Sequence, residues 1–152
     1  MITYQYFKDI DPYQLTALYN DAGWLAYTCD PTGLQEAVSN SWRVITAWEG
    51  EMLVGLIRSV GDGISIALIQ DILVLKSFQK TGIGSVLMEK MLKEIGNTRQ
   101  IVLLTDSSET NRETQEWYQK RGFKSLDQWE CVGFAIFNSS LTKADCAVSG
   151  IQ

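Results

Sequence analysis

The segment from Gln79 to Ser85 carries the strongest chemical signal in the sequence, because Gly82 and Gly84 stand one residue apart at the start of an amphipathic stretch. Glycines at this spacing let backbone N–H groups face outward with no Cβ in the way. The predicted helix behind them directs its positive dipole end and its unpaired N–H donors to the same point, which favours a phosphate group. Lys80 adds a cation. A tight strand-to-helix turn without a ligand is the alternative, since the segment matches neither a Walker loop nor a dinucleotide-binding glycine pattern.

The side chains that could move protons are restricted by composition, because the sequence contains no histidine. Ser-His-Asp triads and Cys-His dyads are therefore excluded, and any general acid or base must be a carboxylate, tyrosine, lysine, cysteine or relayed water. Asp71 lies inside an apolar run, so its carboxylate is either hydrogen-bonded structurally or poised as a base with a raised pKa. Tyr118, next to Trp117, is either a core aromatic residue or a proton donor. Asn111 could cap the helix that follows it.

The pattern around these residues predicts an α+β fold with the order β α α β β β α β α β and about four helices. Asp11-Pro12 and Asp30-Pro31 each fit an N-cap followed by a first-turn proline, which predicts two early helices. Two more helices are expected at 83–95 and 109–121, where apolar residues recur with helical spacing. Strands are predicted at 2–7, 42–48, 52–60, 64–75 and 101–104, and again from 123 onward, especially over the apolar run 129–137.

Length and charge narrow the class of protein. A chain of 152 residues is most simply one domain, 1–152, with a loosely held tail at 138–152. The net charge of −5 argues against nucleic-acid binding, which needs a basic patch. Apolar runs are too short for a membrane helix, no signal peptide is visible, and three widely spaced cysteines predict neither a disulfide framework nor a zinc site. We therefore expect a cytoplasmic protein without a metal or a membrane contact.

Two motifs in a fixed order resemble a known family. The apolar strand end Ile72-Leu73-Val74 is followed by Gln79xxGly82xGly84, and Asn111 is later followed by Tyr118xxxGly122-Phe123. This combination resembles the GNAT family of N-acetyltransferases, which use acetyl-coenzyme A (acetyl-CoA). The resemblance covers about residues 42–137. It implies a three-layer GNAT-like fold with a mixed central sheet of six or seven strands, in which one pair of strands is splayed apart.

The resemblance also implies roles for individual residues. The pantetheine arm would lie in the splayed gap and pair with the backbone at Leu73 and Val74, where a nearby N–H would polarise the thioester carbonyl. Asn111 would help to hold the arm, Tyr118 would protonate the leaving thiolate, and Asp71 could deprotonate the incoming ammonium. The pyrophosphate would bind the loop residues Gln79, Lys80, Thr81, Gly82, Ile83, Gly84 and Ser85.

The acceptor is specified only loosely. Trp24 and Tyr27 lie where the family's acceptor pocket is expected, and they could stack on an amine-bearing ring or a cation, or belong to the core. The expected reaction is direct acetyl transfer, in a ternary complex, to a primary amine of a small molecule or a peptide. A non-catalytic acyl-CoA-binding or sensing module is the alternative function, and an interaction domain without a ligand is a third. The resemblance further implies a homodimer through strand 129–137 as an option.

Overall fold

A computed structural model describes residues 1–138 of the chain. Its elements follow the predicted order as far as the fifth strand and the helix after it, and the predicted tail at 139–152 lies outside the described residues. The strands are β1 (Ile2–Gln5), β2 (Arg43–Glu49), β3 (Met52–Gly61), β4 (Ile66–Val74) and β5 (Gln100–Leu103). The α-helices are α1 (Pro12–Asp21), α2 (Leu25–Thr28), α3 (Pro31–Ser39), α4 (Ile83–Ile95) and α5 (Arg112–Gln119), with 3₁₀ turns at Lys76–Phe78, Glu109–Asn111 and Leu126–Trp129.

The two proline-marked helices begin as the sequence predicts. Asp11 accepts a hydrogen bond from the backbone N–H of Gln14 at 3.0 Å, and Asp30 accepts one from Gly33 at 3.1 Å. Each aspartate therefore satisfies one of the N–H groups that a helix start leaves without a partner. The single turn of α2 raises the number of α-helices in the described residues to five, where about four were expected.

The sheet over residues 1–138 has five strands in the order β1-β2-β3-β4-β5, so the expectation of six or seven is wrong for this part of the chain. The first four strands are antiparallel to their neighbours, and β5 runs parallel to β4. The missing strand is the one predicted from 123 to 137: Trp129 ends a 3₁₀ turn, and the residues after it form no regular element. Alternation alone does not make a strand, and Val132 and Phe134 stay 70% and 92% exposed with no sheet partner in the described chain.

Helices cover both faces of the sheet, which gives the three layers that the fold class implies. On one face, α1 and α3 enclose a core with side chains from β2, β3 and β4, including Leu56 and Leu73. On the other face, α4 packs its apolar side against the sheet around Ile57 and Ile69. Within the described residues, no helix is both long and apolar enough to cross a membrane.

The parallel pair at the edge of the sheet separates before β4 ends. The two strands pair from Ile66 with Gln100 to Ile69 with Leu103, whereas β4 continues to Val74 without β5 beside it. The β3–β4 register also shifts at this point, because Arg58 faces Asp71 and the next residue faces Ile69. The splayed gap expected in this fold is therefore present.

Candidate active site

A cavity of about 470 Å³ opens where β4 and β5 separate. It is lined by the end of β5, by α5, by the segment before α2 and by the middle of β4. Three of the residues singled out in the sequence, Trp24, Asn111 and Tyr118, come together in its wall although they lie far apart in the chain. Gln70 and Ile72 form the β4 side.

Tyr118 is placed to act on a group inside this cavity. Its ring lies edge-on to Trp117 and Phe123, with centroids 5.2 and 6.0 Å away, which fixes the orientation of the phenol. Burial raises the pKa of Tyr118, so the hydroxyl stays protonated at neutral pH. Within residues 1–138 this hydroxyl donates no hydrogen bond to the protein, so its proton is available to a bound molecule. The arrangement keeps both interpretations of Tyr118 open, since the ring packs on the core and the hydroxyl faces the cavity.

Asn111 orders the loop between β5 and α5 and does not cap α5 with its side chain. Its Nδ2 donates to Thr105 Oγ1 at 2.9 Å and to the carbonyl of Asp106 at 2.8 Å. Gln115 donates to the same carbonyl at 2.9 Å. These bonds hold the cavity wall formed by residues 104–106, and the alternative that Asn111 is a side-chain cap is wrong.

Asp71 is buried in a polar cluster next to the cavity. Its Oδ2 accepts hydrogen bonds from Tyr19 Oη at 2.8 Å and from Arg58 Nε at 2.5 Å, and its Oδ1 accepts one from Tyr27 Oη at 3.0 Å. Burial raises the pKa values of Tyr19 and Tyr27, and the nearby carboxylate raises them further. Burial by itself would lower the pKa of Arg58, but the attraction of Asp71 outweighs it and holds that pKa above its usual range.

Three donors on one carboxylate favour the structural interpretation of Asp71 over the catalytic one. Both oxygens are engaged, and the permanent charge of Arg58 makes the carboxylate a weaker proton acceptor. Tyr27 is likewise fixed through its hydroxyl, which also accepts a bond from Arg58 Nη2 at 3.1 Å. Trp24 packs edge-on against Tyr19 with centroids 5.8 Å apart and lines the cavity as well.

The loop before α4 leaves a run of backbone donors unused. The first helical bond runs from the N–H of Val86 to the carbonyl of Gly82 at 3.1 Å. No backbone N–H from residue 80 to residue 85 donates a hydrogen bond to any part of the chain that the structure describes. Gly82 has φ +92°, which a side chain would strain, and a Cβ built there would meet nothing within 4 Å, so the space above the loop is open. The loop can thus bind an anion such as a diphosphate through its main chain.

Arg121 is a residue of this region that the sequence reasoning did not assign. Its guanidinium stacks 3.6 Å from the centre of the Trp117 ring, and Nη2 donates to Ser85 Oγ at 2.6 Å. A second cation therefore lies beside Ser85, in addition to Lys80. The four-residue spacing of Trp117 and Arg121 on a predicted helix could have shown that the two side chains meet.

The free edge of β4 offers donors to the gap at Ile72 and Val74. The N–H of Leu75 bonds the carbonyl of Val54 on β3 at 2.9 Å, and N–H groups alternate sides along a strand. Leu73 therefore also pairs with β3, while the amides on either side of it face away from β3. The carbonyl of Val74 accepts a bond from Gln79 Nε2 at 3.2 Å, which links the strand edge to the loop.

Comparison with known proteins assigns this site to a class and then to a family. Residues 40–125, more than half of the chain, match the family model described as an acetyltransferase (GNAT) domain. A GNAT-family acetyltransferase from Streptococcus pneumoniae superimposes with a TM-score of 0.78 at 34% identity, covering 91% of this chain and 99% of that one. A structure from meticillin-resistant Staphylococcus aureus gives 0.75 at 26% identity, covering 91% and 100%. The fold and the matches define an acetyltransferase. The chain belongs to the GNAT family, as the two motifs predict.

A curated relative extends the comparison to a plant. Histone acetyltransferase TAP1 from Glycine max is 30% identical over 133 residues, which cover 77% of this chain and 53% of that protein. The chain spans about half the length of the curated relatives it matches. Metal chemistry has no visible site here: within residues 1–138, no group of three or more Asp, Glu, Cys or His side chains could hold an ion. Cys29 is disulfide-bonded and Cys131 is exposed, so neither is the inert core thiol that the sequence suggested.

Proposed function

We propose that this protein is an acetyl-CoA-dependent N-acetyltransferase that moves an acetyl group to a primary amine by direct transfer in a ternary complex. The observation that carries the proposal is the position of the open-edged end of β4 between two features. One is the loop at 80–85, whose backbone donors are unused, and the other is the cavity that contains Tyr118. A long cosubstrate with a diphosphate at one end and a thioester at the other needs both.

The residues present fit acetyl-CoA. The free amides at 80–85, with Lys80 and Arg121 beside them, would hold the pyrophosphate, and the open space at Gly82 leaves room for it. The free edge at Ile72 and Val74 would pair with the pantetheine amides and supply an N–H to the carbonyl oxygen of the thioester. The cosubstrate supplies the activated acetyl group. Tyr118 would hold a proton at Oη for the departing sulfur.

The charge of the cavity favours a cationic acceptor. Among the described residues that line it, Asp106 carries the one charged side chain. Its carboxylate accepts bonds from the N–H and the hydroxyl of Ser108, which lower its pKa and keep it anionic. A primary ammonium group would be attracted to this wall. Because one relative is named a histone acetyltransferase, peptide lysines belong in the set of candidate acceptors together with small amines.

Calorimetric titration with acetyl-CoA tests the binding half of the proposal. The variant Gly82→Val should weaken binding at least about tenfold, or ~1.4 kcal/mol, because its side chain would enter the space above the loop. Gly50→Val is the matched control, since Gly50 also has positive φ and open space but lies in the β2–β3 turn. Equal losses in both variants, or no binding by the wild type, would overturn the cosubstrate assignment.

Thiol release from acetyl-CoA in the presence of an amine panel tests the catalytic half. The panel should contain lysine peptides, aminosugars and arylalkylamines, with matched alcohols as controls. Release that depends on an amine, with an N-acetylated product by mass spectrometry, is the expected result. Tight binding of acetyl-CoA without turnover on any amine would favour the acyl-CoA-binding module instead.

A further inference from the structure

The outer edge of β5 is open, and an apolar groove runs beside it. Over residues 1–138, β5 pairs with β4 alone, so its other edge presents N–H and C=O groups without a strand partner. The groove has a volume of about 800 Å³, and its walls include Ile101, Leu103, Phe123, Leu126 and Trp129. An exposed sheet edge above an apolar surface is a template for another strand.

The segment 131–137, directly after the groove, carries a stripe of exposed apolar side chains. Val132, Phe134 and Ile136 alternate along it and are 70%, 92% and 89% exposed. Phe137, on the opposite side of the segment, is 71% exposed. Alternating apolar residues of this kind are typical of a strand with one buried face. The described chain provides that face in the groove, yet the segment does not occupy it.

A second copy of the chain is the occupant that these observations favour. The groove and the stripe belong to the same chain, and Cys131 lines the groove, so the segment leaves from the groove that it could fill in another molecule. Two copies related by a two-fold axis can each place a segment on the other's β5 and satisfy both edges at once. We propose that residues 131–137 are exchanged between two copies and add a sixth strand to each sheet, against β5.

Exchange would also complete the cavity that contains Tyr118. Thr105, Asp106 and Tyr118 line both the groove and the cavity, so the wall between the two spaces is one residue layer thick. A strand of the second copy on β5 would cover the outer side of this wall. This inference does not depend on the acetyl-transfer proposal, because the groove and the segment are present whatever the cavity binds.

The oligomeric state of the full chain tests the proposal. Sedimentation velocity should show a concentration-dependent dimer, and hydrogen exchange should show that residues 131–137 and β5 lose protection together on dilution. The double variant Phe134→Asp/Ile136→Asp should raise the dimer Kd at least about a hundredfold, and Ala135→Pro should do the same by removing a ladder N–H. Tyr13→Asp is the matched control, because Tyr13 is 86% exposed on α1 and lies outside the groove.

Three results would overturn the proposal. The first is a monomer at all concentrations with 131–137 protected, which would mean that the segment folds back on its own chain. The second is a monomer with 131–137 unprotected, which would leave the groove for a different partner. The third is a dimer that the segment variants weaken no more than Tyr13→Asp does.

Discussion

Replacing Asp71 with asparagine distinguishes a carboxylate that stabilises the fold from one that transfers protons. The side chains of Asp71 and Arg58 are 0% and 5% exposed, and Nε lies 2.5 Å from Oδ2. Asparagine keeps the shape and one acceptor oxygen but removes the negative charge. Arg58 would then keep a buried positive charge without the carboxylate that neutralises it, and Tyr19 and Tyr27 would donate to a weaker acceptor.

The expected loss is large because the pair is buried. Removing one partner of a buried ion pair costs about 3–5 kcal/mol, which for a chain of this size lowers Tm by roughly 6–20 °C. Removing both charges together should cost much less, since no ion is left unpaired. We therefore expect the double variant Arg58→Met/Asp71→Leu to lie within about 2 kcal/mol of the wild type.

Urea denaturation followed by tryptophan fluorescence measures these differences, and the pH profile of acetyl transfer separates the two roles. If Asp71 acts through the fold, Asp71→Asn loses stability while its kcat profile against pH keeps the same shape at temperatures where the variant is folded. The reasoning would be refuted by a variant that unfolds within about 1 kcal/mol of the wild type. It would also be refuted by a profile that loses its acidic limb at unchanged stability, because that is the signature of a general base.

Three other outcomes follow from the site. Tyr118→Phe should lower kcat about 10²–10⁴-fold with an unchanged Kd for acetyl-CoA, and an unchanged kcat would show that the proton comes from elsewhere. Arg121→Gln should weaken acetyl-CoA binding most at low ionic strength; the same loss at every salt concentration would argue for a packing effect on Trp117. Burial raises the pKa of Tyr19 in the folded state above the ~10 of the unfolded chain, so stability should be constant below about pH 10 and fall above it. Urea midpoints across this range should fall less steeply for Tyr19→Phe, and parallel curves would contradict the assignment.

Local signals in the sequence were enough for most of the fold. Asp11 and Asp30 mark helix starts because a cap and a first-turn proline act within four residues. The change of period after residue 78 predicts α4 because one apolar face packs on the sheet. The run 129–137 has equally good strand periodicity but fails as a strand in residues 1–138, because a strand also needs a neighbour to bond and a surface to cover it. Periodicity reports the side chains and says nothing of the partner.

The site was predictable where main-chain geometry makes it and unpredictable where distant side chains meet. The loop at 80–85 follows from two glycines before a helix, and the structure shows its amides unused. The cluster around Asp71 depends on the β3–β4 register, which places Arg58 opposite it, and on Tyr19 and Tyr27 from two different helices. A hairpin with a bulge has no unique register from sequence. The one available signal was a charged residue inside each of two adjacent apolar strands.

The bulge in β4 explains why the gap and the polar cluster occur at the same place. Asp71 faces Arg58 and Ile69 faces the next residue of β3, so Gln70 is the extra residue. On a regular strand, Ile69 and Leu73 would share a face, because their spacing is even. They belong instead to cores on opposite faces, and the extra residue is what reverses the alternation. Without it, Asp71 would share the face of Ile69 and lie under α4, away from Tyr19. The same irregularity bends β4 away from β5 just beyond the last pair, Ile69 and Leu103. One inserted residue therefore buries the carboxylate beside its three donors and frees the strand edge that a pantetheine arm would need.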